Sequence, residues 1–357
     1  MATVTDWRLT IPESRRSIMR VWFWSIALFT LLVLIVGGTT RLTHSGLSIV
    51  DWDPIMGVIP PISHDQWQAA FERYQQFPQY QKVNQGMTLG EFQFIYFWEY
   101  LHRLLARTIG LVFLVPFVFF LAKRWMNRPL AKRSIILFAL GGMQGVMGWL
   151  MVASGLVDRP SVSHYRLAAH LSLAFIIFGY AVWLARELRV SGNEPLVNGR
   201  ALQRMKRGLL VVGWLLALQI VWGAFVAGLK AGFLANTFPL MGGRLVPATL
   251  LSLDPAIRNF FENQVTVQWL HRVIGTVLGI ATLFVGWQTL KARLDQTSQR
   301  WAIALITVVL LQYLLGVFTL INAVPVALGV THQAMAMVLF GVWIAAVHHA
   351  RGLHIAT

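Results

Sequence analysis

The sequence writes nearly the same segment twice: WEYLHRLLARTIG at residues 98–110 and VQWLHRVIGTVLG at 267–279. Each places a histidine and an arginine, His102–Arg103 and His271–Arg272, inside an otherwise apolar, helix-like run. Three residues before the histidine the first copy has Glu99 and the second has Gln268. Neutral imidazole is the commonest protein ligand for metals, and a carboxylate one helical turn away can handle protons. Two further histidines, His170 and His332, fall in apolar runs later in each half. The remaining six of the ten read differently. His348, His349 and His354 lie in the C-terminal tail and His44 and His64 in polar connections, where solvated roles are expected. His164 precedes His170 by six residues, about 240° around a helix, and so cannot share its face.

The elements that carry these residues follow from composition. Of 357 residues, 56% are hydrophobic and 12% charged, against about 25% charged in soluble domains. Apolar runs near 21–40, 94–122, 135–156, 167–185, 209–229, 265–290, 301–322 and 326–347 each suit a span of about 20 residues. NAVPVALG supplies a proline turn between the last two. The net charge of +16 comes from short Lys/Arg clusters between the runs, not from one basic stripe. That excludes nucleic acid as a partner and matches the positive-inside rule. The clusters fall before span 1, between spans 2 and 3, 4 and 5, and 6 and 7, and after span 8, so both termini are expected in the cytoplasm. Two long outer connections, 41–93 and 230–264, carry Trp, Pro and Gly and are expected to be ordered caps. There is no cysteine, which removes disulfides, thiolate metal sites and Cys-ligated clusters. The first 20 residues hold Arg8, Arg15, Arg16 and Arg20 without an early apolar core, so the first run is expected to be a retained span, with no cleavable signal or transit peptide.

The duplication extends beyond the opening pair. His102 and His271 are 169 positions apart, Gln144 of MQGVMGWL and Gln312 of LQYLLGVF 168, and His170 and His332 162. Spans 1 and 5 share VGGTTRLTHSGLS and WGAFVAGLKAGFL as related ends. The expected fold is an all-α polytopic membrane protein of eight transmembrane helices, arranged as two four-helix bundles related by a pseudo-twofold axis along the membrane normal. The expected units are 1–190, containing outer loop 41–93, then a cytoplasmic linker at 191–207, then 208–357 with outer loop 230–264.

His102, His170, His271 and His332 come early in spans 2, 4, 6 and 8, which run from outside to inside, so all four share the outer half of the bilayer. Ionisable residues at that depth are costly and mark function. Two histidines at like depth on facing helices make an axial pair for a haem. A di-iron site needs Glu-x-x-His on two helices plus two more Glu. EYLH (99–102) supplies one such motif and QWLH (268–271) does not. Copper held by His and Met is a second alternative. Haem fits the residue set best, with neutral imidazoles, no thiolates, many aromatics, and Gly110, Gly141, Gly142, Gly145, Gly148, Gly275, Gly279 and Gly316 permitting close approach. The same glycines also serve ordinary helix packing. Arg103 and Arg272 have two readings: they hold haem propionates, or they pair and snorkel at the outer interface. Glu99 has two as well: an i,i+4 ion pair with Arg103, or a carboxylate beside a haem, handling protons or orienting a bound porphyrin.

The stretches GGTTRLTHSGLSIVDWDPIMGVIPP (37–61), FERYQQFPQY (71–80), MTLGEFQFIYFWEYLHR (87–103), YRLAAH (165–170), SLDPAIRNFFEN (252–263) and THQ (331–333) carry a family likeness. From about residue 20 to 347 the chain resembles the heme A synthase family, in its alphaproteobacterial and mitochondrial, cysteine-free branch. The resemblance implies an enzyme, a monooxygenase-type oxidoreductase that oxidises one ring methyl of haem O to the formyl group of haem A by successive O2-dependent hydroxylations and loss of water. It implies that His271 and His332 ligate the iron of a haem b cofactor, that His102 and His170 face the iron of the substrate haem, and that Glu99 is the catalytic carboxylate. The implied partners are haem O, O2, an electron donor, heme O synthase and terminal-oxidase assembly factors. The implied location is a bacterial cytoplasmic (inner) membrane, with the active side toward the periplasm. The alternatives are a two-haem membrane cytochrome relaying electrons with quinone, and a haem transporter or chaperone. The single acid favours two unequal sites, hence chemistry at one of them.

Overall fold

The computed structural model describes residues 6–50, 56–154, 161–189 and 196–355. Residues 51–55 of the first outer connection, 155–156 at the end of the expected third span, and 191–195 of the expected linker lie outside the described residues. In chain order the helices are α1 (Glu13–Leu42), α2 (His64–Gln75), α3 (Pro78–Lys82), α4 (Leu89–Ala122), α5 (Arg128–Ala153), α6 (His164–Glu187), α7 (Gly199–Gly228), α8 (Asn259–Glu262), α9 (Gln264–Ala292), α10 (Gln296–Ile321) and α11 (Val326–Gly352). Eight of them, all but α2, α3 and α8, are long and apolar enough to cross a membrane. The shortest has 24 residues, about 36 Å at 1.5 Å per residue, enough for a hydrocarbon core of about 30 Å. Their outward faces are apolar: Trp214, Leu314 and Ile280 are more than 60% exposed, which water would penalise and lipid does not. The protein is therefore a multi-pass, all-α membrane protein.

Local chemistry sets the helix ends. The Thr88 hydroxyl accepts from the Glu91 amide while the Glu91 side chain accepts from the Thr88 amide, a capping box that starts α4 and fixes the register of Glu99 and His102. Asn263 caps α9 in the second half. Ala323 and Val324 adopt left-handed backbone and Pro325 stands at the N-cap of α11, so the last two spans turn sharply where the proline implied.

Within residues 13–187, α1 packs on α4 and α6, and α5 packs on α6. Within 199–352, α7 packs on α9, α9 on α10, and α10 on α11. The two groups meet where α1 touches α11 and α6 touches α7 and α11. At the centre of this seam the contacts exchange: a Cβ on Gly179 would lie 2.6 Å from the Phe340 ring, and one on Gly341 would lie 3.0 Å from the Phe178 ring. Each Phe thus occupies the space left by the other helix's glycine. Beyond the spans, β1 (Leu196–Val197) pairs in parallel with β2 (His354–Ile355), joining the α6–α7 connection to the end of α11. On the opposite side α2, α3 and α8 form caps. Tyr74, buried at the cap centre, donates to Gln79 and accepts from Asn84. Burial pushes its phenol up to about 12, so this network is neutral.

Two expectations change. Residues 199–207 of the expected linker are helical, because Asn198 caps the Ala201 amide and Arg200, Arg204, Lys206 and Arg207 are good helix formers. His348 and His349 are partly buried rather than freely solvated. α11 runs on to Gly352, which brings His349 to 3.1 Å from Asp295, the N-cap of α10, and sets the His348 ring edge-on against Trp183. His354, in β2, is exposed as expected.

Candidate functional site

Each of the four intramembrane histidines lies in a notch on a neighbouring helix, and the notch is a glycine. A Cβ built on Gly37 of α1 would stand 2.7 Å from Cε1 of His102, and on Gly148 of α5, 3.2 Å from Cε1 of His170. A Cβ on Gly223 of α7 would stand 3.1 Å from Cε1 of His271, and on Gly316 of α10, 2.7 Å from Cε1 of His332. The rings pair by half: His170 lies within electrostatic range of His102, and His332 of His271. Each of the four Nδ1 atoms is buried with no hydrogen-bond partner. Buried polar atoms without partners are rare in finished cores and common where a ligand completes the site.

A glutamine sits one turn from three of the four glycines, in the pattern Gln-x-x-x-Gly: QGVMG (144–148), QIVWG (219–223) and QYLLG (312–316). Gln144 Nε2 lies 3.3 Å from Nε2 of His170, and Gln219 Nε2 lies 3.3 Å from Nε2 of His271. Gln312 instead donates to the His332 carbonyl at 3.1 Å. On α1 the matching position is Val33, which offers His102 only a main-chain carbonyl. The Oε1 atoms of Gln144, Gln219 and Gln312 are all buried without a partner.

One turn before His102, Glu99 is 2% exposed. Its Oε2 accepts from the Ser48 amide (2.7 Å), the Ser48 hydroxyl (2.7 Å) and the Ile49 amide (2.9 Å), and its Oε1 accepts from Arg103 Nη2 (2.7 Å). Arg103 also donates to the Ile49 carbonyl. The i,i+4 ion pair read from the sequence is present. In the second half the polarity is reversed. Gln268, also 2% exposed, donates to the Ala235 carbonyl, and Arg272 donates to the carbonyls of Ala235 and Thr237. Both arginines thus hold an outer connection by its backbone.

The structure brings Glu99, His102, Arg103 and His170 together in one group and Gln268, His271, Arg272 and His332 in the other. It leaves His164 apart, on the α6–α7 contact against Phe225 and Gly228. Among the described residues no cluster of three or more His, Cys, Asp or Glu forms, so the carboxylate set of a di-iron centre is not assembled. Two imidazoles per site with glycine clearance fit a haem held by axial ligands instead. Sequence reasoning missed Gly37, Gly223, Gln219 and Ser48. The repeated Gln-x-x-x-Gly would have exposed the glycine behind each ring in three of the four cases. Ser48 had no signal, because its partner is 51 residues away.

The chain matches the COX15-CtaA family, described as cytochrome oxidase assembly protein, over residues 20–344. It is 45% identical to heme A synthase of Parvibaculum lavamentivorans over 327 residues, covering 92% of each chain. It is 45% identical to heme A synthase of Nitrosospira multiformis over 325 residues, 90% of each chain. It is 46% identical to that of Mesorhizobium japonicum over 331 residues, 91% of this chain and 88% of the relative.

Proposed function

We propose, for a chain that belongs to the COX15-CtaA family of cytochrome oxidase assembly proteins, that its two histidine groups are a substrate site and a cofactor site. The activity is heme A synthesis, in which a ring methyl of haem O becomes the formyl group of haem A. Each hydroxylation uses one O2, two electrons and two protons, inserts one oxygen atom and releases one water. The second gives a geminal diol that loses water to the aldehyde. A haem held by these histidines would supply the redox chemistry. The electrons come from a donor outside this chain.

In this reading His271 and His332 hold haem b and His102 and His170 face the iron of haem O. The glycine notches let Cε1 of each ring come close against α1, α5, α7 and α10, which restricts their orientation. Arg272 has a buried Nε without a partner, a donor suited to a propionate. Arg103 takes the matching place in the first half. Glu99 sits beside the haem O site as the catalytic carboxylate, orienting the substrate or moving protons. Residues 1–190 and 208–357 are the two units, related by a pseudo-twofold axis that the exchanged Phe–Gly contacts support. The Arg/Lys-rich side, with both ends of the chain, faces the cytoplasm of a bacterial inner membrane, and the capped side faces the periplasm.

The observation that carries the assignment is the single acid: two matched histidine pairs, with Glu99 beside one and Gln268 beside the other. Pigment extraction tests it. Purified protein should contain haem b together with haem O or haem A. Glu99→Gln should stop or stall haem A formation in cells supplied with haem O while the haem b spectrum persists. Haem b in both sites, with no haem A made, would favour an electron relay instead. Normal haem A yield from Glu99→Gln would remove the role given to Glu99.

A further inference from the structure

We propose that Ser48 is a positioning residue for this reaction, acting on haem O only through Glu99. The inference rests on the reading of Glu99 as the acidic group of the haem O site. Ser48 is 1% exposed. Its amide and its hydroxyl both reach Oε2 of Glu99 at 2.7 Å, and the next amide, Ile49, adds a third donor at 2.9 Å. The hydroxyl also stands 3.0 Å from the Ser45 carbonyl and 3.4 Å from the Ile95 carbonyl. A hydroxyl has one proton to give. The shortest of its contacts, and the only one to a carboxylate, is Glu99, and hydrogen bonds to charged acceptors are the stronger kind.

The arrangement is a small concave seat of successive N–H groups closed by a hydroxyl, the form in which main chain binds anions. Arg103 completes it from the other side, bridging Oε1 of Glu99 and the Ile49 carbonyl. The carboxylate is therefore set by four donors rather than by its own rotamer. Among the described residues Gln268 has no such seat, and its amide donates to a carbonyl instead. The seat accompanies the acid. Two of the four donors are main-chain amides and one is Arg103, which also carries the loop. Ser48 Oγ is the donor that a side-chain substitution removes while the two amides and Arg103 stay in place.

The test uses the full-length protein in membranes supplied with haem O, with pigments extracted and separated into haem O, singly hydroxylated haem and haem A. Ser48→Ala should lower haem A formation about tenfold, the usual effect of losing one hydrogen bond to a charged group. It should also raise the ratio of hydroxylated haem to haem A in the same direction as Glu99→Gln. The haem b band should be unchanged. Ser48→Cys, isosteric with a weaker donor, should fall between Ser48→Ala and the parent, and it decides the matter if Ser48→Ala does not accumulate. In a Glu99→Gln background Ser48→Ala should not move the ratio further, because two residues acting through one group are not additive. A purely structural role would reduce total pigment and the haem b band without changing the ratio. An unchanged ratio in both serine variants, or a further change in the double variant, overturns the proposal. If Glu99→Gln itself makes haem A normally, the failure belongs to the reading of Glu99. If Glu99→Gln stalls and the serine variants do not, only the inference about Ser48 fails.

Discussion

The glycine notches give a quantitative comparison within the His271–His332 pair. Carbon atoms rest about 3.5–4.0 Å apart. Gly316→Ala would put a methyl 2.7 Å from Cε1 of His332, so the ring must retreat by about 0.8 Å or more. Gly223→Ala would put one 3.1 Å from Cε1 of His271, a retreat of about 0.4 Å. Metal–ligand distances tolerate changes of about 0.2 Å. Overpacking of this kind costs about 1–3 kcal/mol, which is about 5- to 150-fold in affinity. The helix itself is not the casualty, since Gly→Ala in a helix interior is favourable by about 1 kcal/mol. On the proposed assignment Gly316→Ala should therefore purify as folded protein with haem b reduced at least about fivefold, while Gly223→Ala should lose less. The measurement is haem per polypeptide by pyridine haemochrome, with the reduced α-band as a check on ligation. Full haem content with an unshifted band in Gly316→Ala would refute the notch reasoning. Equal losses in the two variants would also count against it, because the ranking comes from the distances.

His271→Ala and His332→Ala should each remove or shift the haem b band, while His102→Ala and His170→Ala should keep that band and lose haem A production; a reversed pattern exchanges the two sites. Because the chain has no cysteine, single labels are unambiguous: a membrane-impermeant maleimide should reach Glu72→Cys from the periplasmic side and Lys123→Cys only after the inner face is opened, and the opposite accessibility inverts the topology. At the other end of the fold the side chain and amide of Arg8 hold the Asp6 carboxyl below its ordinary range. A depressed folded value means the stabilisation is present above the unfolded pKa and is lost as pH falls through the lower folded one. Protection of the Arg8 amide against hydrogen exchange, taken relative to the intrinsic rate at each pH, should accordingly fall only in acid, and Asp6→Asn should abolish that pH dependence of the protection.

Most of the fold was legible because lipid enforces a simple rule: a span must be apolar for about 20 residues and satisfy its own backbone. That rule marked all eight spans but not their ends. α7 starts ten residues before its apolar run, since Arg200, Arg204 and Arg207 are helix formers that hydropathy reads as loop. The same blindness put His348 and His349 in a solvated tail, when their helix was running on toward an aspartate 54 residues earlier in sequence. At the site, the histidines and Glu99 were legible from type and spacing. Their surroundings were not. Ser48 meets Glu99 through a loop whose path no periodicity encodes, and Gly37 and Gly223 look like any small residue in a packed helix until a ring is seen lying on them.

The two copies of Leu-His-Arg also differ in how completely the protein satisfies itself. At Glu99 itself the polar valences close: both carboxylate oxygens are met, Arg103 spans the acid and the loop, and the Ser48 hydroxyl is used, while Nδ1 of His102 and of His170 beside it stay without a partner. Around Gln268 the valences do not close. Gln268 Oε1 and Arg272 Nε are both buried without a partner, one acceptor and one donor on adjacent turns of α9. Buried groups left this way cost about 1–3 kcal/mol each, so a protein carries them where a ligand supplies what is missing. A resident cofactor does so permanently, and the free energy of binding it can absorb the mismatch. On the proposed assignment both histidine pairs await a haem, and the difference lies one turn away: Glu99 is fully met beside the haem that is turned over, while Gln268 and Arg272 keep unmet atoms beside the haem that stays.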